Sequence, residues 1–186
     1  MKLRTLAAVW AATALLPTAA LAQSADVGVY ASAGYSHLTT SDEPDVNLGA
    51  ITLRGGYAFT PHFAVEAEGS FGVKDEDFAT GTGANRITGD FGLDYLVGVF
   101  GVARLPITER FSVFGRAGAA HGAFSGEARQ GATRFSLDED AGFWAAGVGA
   151  EYFLDDRNGL RAGYTRYEND DEASFDAWSL SYVRRF

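Results

Sequence analysis

The 186-residue sequence has no cysteine, only four prolines and one methionine. Without cysteine no disulfide can staple the fold, so an exported chain of this kind depends on a core or on closure of a sheet. Positive charge is also short, with 15 Lys and Arg against 24 Asp and Glu and a formal charge of −9, which argues against nucleic acid as a partner. Beyond the N-terminal segment there is no apolar run of about 18 residues, the length a spanning helix needs. The strongest stretch, Tyr95 to Leu105, is too short and is broken by Gly98 and Gly101. Glycine (23 residues) and aromatic side chains (13%) are abundant, and with so few prolines they favour strands and tight bends over helices. The length suits one domain with a real core.

Residues 1–22 read as a cleaved signal peptide. Lys2 and Arg4 form a positive head, Leu6 to Leu16 is a short apolar run, and Ala20-Leu21-Ala22 fits the small-residue pattern cut by signal peptidase, which leaves residues 23–186 as the mature domain. Losing Lys2 and Arg4 leaves 13 basic against 24 acidic residues, a charge of −11.

The mature chain alternates apolar and polar residues with period two, the pattern of strands with one apolar face. Such segments run over Val27 to Ser36, Ala50 to Phe59, Phe63 to Phe71, Asp90 to Leu105, Phe111 to Ala120, Phe143 to Phe153, Leu160 to Thr165 and Trp178 to Phe186. Between them, short turns fall at Thr60 to His62, Pro106 to Arg110 and Asp155 to Gly159, and longer polar loops at 39–45, 72–89, 125–140 and 169–173. Short and long connections alternate, so all short turns lie on one side, together with both chain ends.

Eight strands of about ten residues with this alternation describe an all-β, eight-stranded, antiparallel, up-and-down transmembrane β-barrel following a cleaved signal peptide. In lipid every backbone polar group needs a partner, and only closure removes a sheet edge, so the last strand must pair with the first. The face bearing Ile51, Leu53, Tyr57, Val65, Tyr95, Val97, Val113, Trp144, Val148, Tyr164 and Trp178 is expected to meet lipid.

The opposite face carries Arg54, Arg104, Arg116, Arg161 and Arg185 with Glu66, Glu68, Asp94 and Glu151. An eight-stranded barrel has an interior that side chains can fill, and an unpaired buried charge costs several kcal/mol, so these groups are expected to form a paired structural plug. The other reading is an ion pathway, making the protein a narrow small-solute channel. Hydrolysis of lipid A would need His, Ser and a carboxylate together at the outer rim, and His37, His62 and His121 show no such pattern, so no enzyme and no cofactor are expected. The acidic runs Asp42-Glu43-Asp45, Asp75-Glu76-Asp77, Asp138-Glu139-Asp140 and Asp170-Asp171-Glu172 lack the glycine and spacing of a calcium loop and read as solvated surface.

Several sequence words resemble the small barrels of the outer membrane protein A family, including the opacity-protein and porin-family surface proteins of Gram-negative bacteria. They are Gly56-Tyr57-Ala58-Phe59-Thr60-Pro61 with Phe63-Ala64-Val65-Glu66, then Leu105-Pro106-Ile107-Thr108-Glu109-Arg110-Phe111, Gly149-Ala150-Glu151-Tyr152, Leu160-Arg161-Ala162-Gly163-Tyr164 and the terminal Phe186. The resemblance covers roughly Val27 to Phe186 and implies residence in the bacterial outer membrane, in contact with lipid and lipopolysaccharide. It implies a structural or surface-interaction role, in adhesion or envelope integrity, with the long loops facing a host or cell-surface ligand. It also implies that the last strand, through Trp178, Leu180, Tyr182 and Phe186, is the signal read by the barrel-assembly machinery. Arg184 stands where that signal usually has an aromatic or apolar residue.

Overall fold

The structure, a computed structural model, describes residues 27–40, 47–80, 87–130, 133–169 and 174–186. The signal-peptide segment and the acidic runs at 42–45 and 170–172 lie outside them. Nine strand segments follow in order: β1 Gly28–Thr40, β2 Asn47–Ala58, β3 Phe63–Lys74, β4 Glu76–Thr80, β5 Ile87–Pro106, β6 Phe111–Gln130, β7 Thr133–Phe153, β8 Asn158–Glu168 and β9 Ser174–Arg185. β3 and β4 lie end to end along β5, interrupted at Asp75, so they form a single barrel strand. The result is eight strands, each antiparallel to its chain neighbour. β1 pairs with β9 from Tyr30↔Arg185 to Thr40↔Phe175, which closes the ring.

The three short turns share one design. Phe59, Ile107 and Leu154 donate backbone N–H bonds to the carbonyls of Phe63, Phe111 and Asn158. At the next position stands a side chain that caps the turn. Thr60 Oγ1 accepts from Phe63 N at 3.0 Å, Thr108 Oγ1 from Phe111 N at 3.0 Å, and Asp155 Oδ1 from Asn158 N at 2.7 Å. Short polar side chains that satisfy turn amides in this way fix the hairpin locally, before any long-range pairing. The Asp155 carboxyl is held below its ordinary value near 3.8, first by the Asn158 side-chain amide and then by the amides of Arg157 and Asn158. Phe186 N donates to Val29 O and Arg185 N to Arg157 O, so the C-terminus sits at this same end, the periplasmic one for a barrel of this kind.

At the other end the strands are longer than the sequence pattern suggests. β5, β6 and β7 have 20, 20 and 21 residues, against 11 to 13 for β1, β2, β8 and β9. Much of the expected loops at 72–89 and 125–140 is therefore strand, paired from Ile87↔Gln130 and Gln130↔Thr133 downward. About nine extra residues at about 3.3 Å each carry this sheet roughly 30 Å past the shorter strands. Above the bilayer the outer face has no lipid to meet, so the apolar alternation that marks a strand in sequence fades while the backbone ladder continues.

The faces divide as the periodicity predicts. Ile51, Leu53, Val97, Trp144, Val148, Trp178 and Leu180 are exposed on the outside, while the inward row of β1, Tyr30, Ser32, Ser36 and Leu38, is buried. Asp94 breaks the pattern. The β5–β6 register shifts between Leu93 and Tyr95, so Asp94 is the extra residue of a β-bulge. The bulge reverses parity and turns Leu93 inward. Asp94 is exposed, accepting a hydrogen bond from Ser125 Oγ at 2.9 Å. It is therefore not part of the lumen network.

Candidate functional site

Midway through the barrel a belt of buried charge crosses the lumen. Alternation places Arg54 on β2 directly across from Glu68 on β3, and Glu151 on β7 directly across from Arg161 on β8. Only the first of these neighbouring pairs is in hydrogen-bond contact, with Arg54 Nε donating to Glu68 Oε2 at 2.6 Å. Closure supplies the rest. Arg161 reaches across the ring to Glu66, Nη1 to Oε2 at 2.5 Å and Nη2 to Oε1 at 3.3 Å. Arg116, from β6, donates to Glu68 Oε2 at 2.7 Å and lies 3.5 Å from Glu66 Oε1. Two tyrosines complete the carboxylates: Tyr30 OH donates to Glu66 at 3.1 Å and Tyr167 OH to Glu68 at 2.7 Å.

Glu151 is held more loosely. Arg104 Nε lies 3.6 Å from one of its oxygens and Arg161 Nε 3.7 Å from the other, and neither oxygen accepts a hydrogen bond. The guanidinium planes instead lie on aromatic rings: Arg116 is 3.5 Å above Phe100, Arg161 4.1 Å above Phe114, Arg104 4.3 Å above Tyr30. Weakly hydrated, planar guanidinium tolerates such an environment better than an ammonium would. Arg185 is half-buried at the periplasmic mouth, 3.5 Å above Phe153.

Two apolar layers enclose the belt. On the outer side Leu38, Leu48, Leu93, Leu96, Phe143 and Phe175 pack together, with the Tyr167 ring stacked on Phe175 at 4.5 Å. On the periplasmic side the layer includes Tyr30, Ala58, Val102, Phe114, Phe153 and Val183. Two voids next to the belt, one beside Arg54 and Glu68 and one beside Tyr30 and Arg104, are each about 10 Å³, near the minimum for a single water. Above the outer layer a recess of about 140 Å³ lined by Phe91, Phe124, Phe143 and Phe175 opens outward.

The sequence pattern singled out the charged members but not their aromatic partners. Tyr30 sits on the glycine- and serine-rich face and is paired in register with Gly56. A Cβ at Gly56 would lie 2.2 Å from the Tyr30 ring, so a large side chain facing a glycine across the ladder was the available signal. Gly149 makes room for Phe114 in the same way, with 2.4 Å to its Cζ.

The other sequence candidates are dispersed. His62 lies in a periplasmic turn, and His121, exposed on β6, is 4.0 Å from Asp140. Ser36 faces the lumen and hydrogen-bonds Thr52 at 2.7 Å. Among the described residues no hydrogen bond joins a serine to a histidine, and no three carboxylates or histidines are grouped to hold a metal. On β9 Trp178, Leu180, Tyr182 and Phe186 are exposed on the outer face, with Arg184 lying 5.7 Å over the Phe186 ring.

A closed antiparallel barrel with an apolar exterior, a charged interior, short turns at one end and extended hairpins at the other is a transmembrane barrel of the bacterial outer membrane. The chain belongs to the family described as the outer membrane protein beta-barrel domain, which matches residues 8–186. Among solved structures it is similar to Ail, the attachment invasion locus protein of Yersinia pestis, at 21% identity and a TM-score of 0.62 over 87% of this chain and 99% of that one. Neisserial surface protein A aligns at 16% identity and TM-score 0.60 over 86% and 97% of the two chains. OprG of Pseudomonas aeruginosa aligns at 10% and 0.60 over 87% and 97%. Ail has also been solved with the heparin analogue sucrose octasulfate. No curated protein matches the sequence.

Proposed function

We propose that this protein is a plugged, non-conducting barrel that acts through its outer surface, in adhesion or envelope integrity, and neither as a solute channel nor as an enzyme. The observation that carries the reading is the filled lumen, a belt of cross-ring ion pairs between two apolar layers with a water-sized void beside Arg54 and Glu68. An ion crossing it would have to break pairs that cost several kcal/mol each to separate. The extended sheet of β5, β6 and β7 is then the working part, a platform for a cell-surface ligand. Its acidic words, Asp75-Glu76-Asp77 and Asp138-Glu139-Asp140, favour a basic or cation-bridged partner over a sulfated sugar of the kind found with Ail.

On this reading residues 1–22 are a leader removed near Ala22, and residues 23–186 are the barrel domain, held in outer-membrane lipid and lipopolysaccharide. The outward row Trp178, Leu180, Tyr182 and Phe186 on the closing strand presents the barrel to the assembly machinery. Planar-bilayer recording of purified protein is expected to show little or no conductance, and large stable open steps would overturn the plug. Replacing residues 125–138 by a short turn should abolish binding of expressing cells to epithelial monolayers while the barrel still folds. A deletion strain with unchanged binding and unchanged detergent resistance would count against any surface role.

A further inference from the structure

We propose that the open edge of β7, above the barrel, takes up an extended basic peptide as an added strand. The inference rests on the surface role proposed for the extended sheet and deepens it, by naming where a partner docks and what chemistry it brings. β7 has 21 residues, of which 10, Trp144 to Phe153, pair with β8. The other 11, Thr133 to Phe143, pair with β6 along one edge and, among the described residues, with no strand along the other. At about 3.3 Å per residue this open edge runs roughly 36 Å. Below it Trp144, 68% exposed, marks the outer interface, so the edge lies beyond the bilayer. In an antiparallel ladder the N–H and C=O groups of every second residue point to the unpaired side, which makes such an edge a template for another strand.

Charge decides which strand. On the outward face of the extended sheet the register sets Asp77 of β4, Asp90 of β5 and Glu127 of β6 side by side, with Ser136 of β7 completing the row. Asp138 and Asp140 follow at the next two positions of the same face along β7, opposite Ser125 and Ala123. Asp90, Glu127 and Asp140 are exposed. Arg129 and Arg134 stand opposite each other one row further out, and Arg129 lies 3.4 Å from Glu127, so this face carries more carboxylates than cations. Like charges directly opposite one another in a ladder are destabilising, and positive charge from outside relieves that repulsion.

The same charge keeps a second copy of the chain away, since an acidic edge repels its own kind. A strand with basic side chains at alternate positions is different: period two brings them all onto the face of Ser136, Asp138 and Asp140. Its remaining side chains fall on the other face, the one that holds Phe135, 57% exposed. A divalent cation would meet the charge and leave the backbone edge unpaired; an extended basic peptide answers both.

The test uses the full mature chain in phosphatidylcholine nanodiscs and a labelled peptide of about nine residues, roughly 30 Å when extended, that alternates threonine and lysine. Binding is followed at constant ionic strength by fluorescence anisotropy and by amide hydrogen exchange of the protein. One control peptide has the same sequence with alternate residues N-methylated, so that it cannot complete a ladder; the other has the same composition with its lysines in one block. The alternating peptide should bind saturably and protect alternate amides between Thr133 and Phe143, and each control should bind roughly tenfold more weakly for want of ladder hydrogen bonds or of matched charges. Asp138→Asn and Asp140→Asn should each weaken binding about twofold to fivefold, the size of an exposed ion pair, whereas Glu139→Gln, on the other face, should leave it unchanged. No binding, equal binding of the N-methylated peptide, or a loss in Glu139→Gln as large as in Asp140→Asn would overturn the proposal. So would a concentration-dependent dimer of the protein that protects the same amides without peptide. A failed peptide alongside a deletion strain that loses surface binding removes the strand-addition site and leaves the surface role standing; a bound peptide alongside unchanged surface binding removes the surface role alone.

Discussion

Glu66→Gln is the most direct perturbation of the belt. Glu66 is 1% exposed, accepts two hydrogen bonds from Arg161 and one from Tyr30, and lies 3.5 Å from Arg116 and 3.8 Å from Arg54. Glutamine keeps the shape but removes the charge, leaving four buried guanidiniums against two buried carboxylates, Glu68 and Glu151, among the described residues. Removing one partner of a buried pair costs about 3–5 kcal/mol, because the remaining charge stays desolvated. With a urea dependence of about 2 kcal/mol per molar, the unfolding midpoint should fall by roughly 2 M. The measurement is reversible urea unfolding in detergent or lipid vesicles, followed by tryptophan fluorescence and by the mobility shift of unheated barrels on gels. The double variant Glu66→Leu with Arg161→Met removes a cation and an anion together and should cost less than Glu66→Gln alone. A midpoint shift below about 0.5 M for Glu66→Gln, or a double variant worse than the single, would refute a belt held by charge pairing.

Two other outcomes follow from the geometry, and a control sets the baseline. Asp94→Asn, at the exposed bulge, should change stability by no more than about 0.5 kcal/mol in the same urea assay. Deleting Phe186 removes the exposed terminal ring and the amide bonded to Val29, and should reduce outer-membrane recovery far more than Arg184→Tyr does; equal recovery of both proteins would remove the terminal residue from any assembly signal. Asp155 has a depressed carboxyl pKa, so its turn contributes stability that is present above its ordinary value near 3.8 and is lost as pH falls through the lower, folded value. Carboxyl NMR should place its titration below 3.8, and Asn158→Ala should move it back up, since that removes the side-chain amide that acts most strongly on it.

Much of the fold is local information repeated along the chain. Period-two alternation marks the lipid-facing rows, and a Thr or Asp two residues past the end of the strand caps each short turn, so strand number, sidedness and topology can be read without knowing any distant contact. The same periodicity places Arg54, Glu66, Glu68, Arg104, Arg116, Glu151 and Arg161 on the inner face, because each lies in a stretch of strand whose parity is locally unbroken. It fails at Asp94, where one extra residue against β6 reverses the parity, and a bulge of this kind has no composition of its own. It also fails at the outer ends of β5, β6 and β7, where water on both faces removes the apolar signal and only pairing with a neighbour holds the strand.

The sequence therefore determined which side chains enter the lumen, and the tertiary structure decided whom they meet. Arg161 and Glu66 are 95 positions apart and bond only because β1 and β9 close the ring. Closure likewise stacks apolar layers above and below the belt and brings Arg104 to the edge of the periplasmic mouth. Alternation along a strand fixes inside from outside; partners across a barrel depend on stagger and closure, which no single strand encodes.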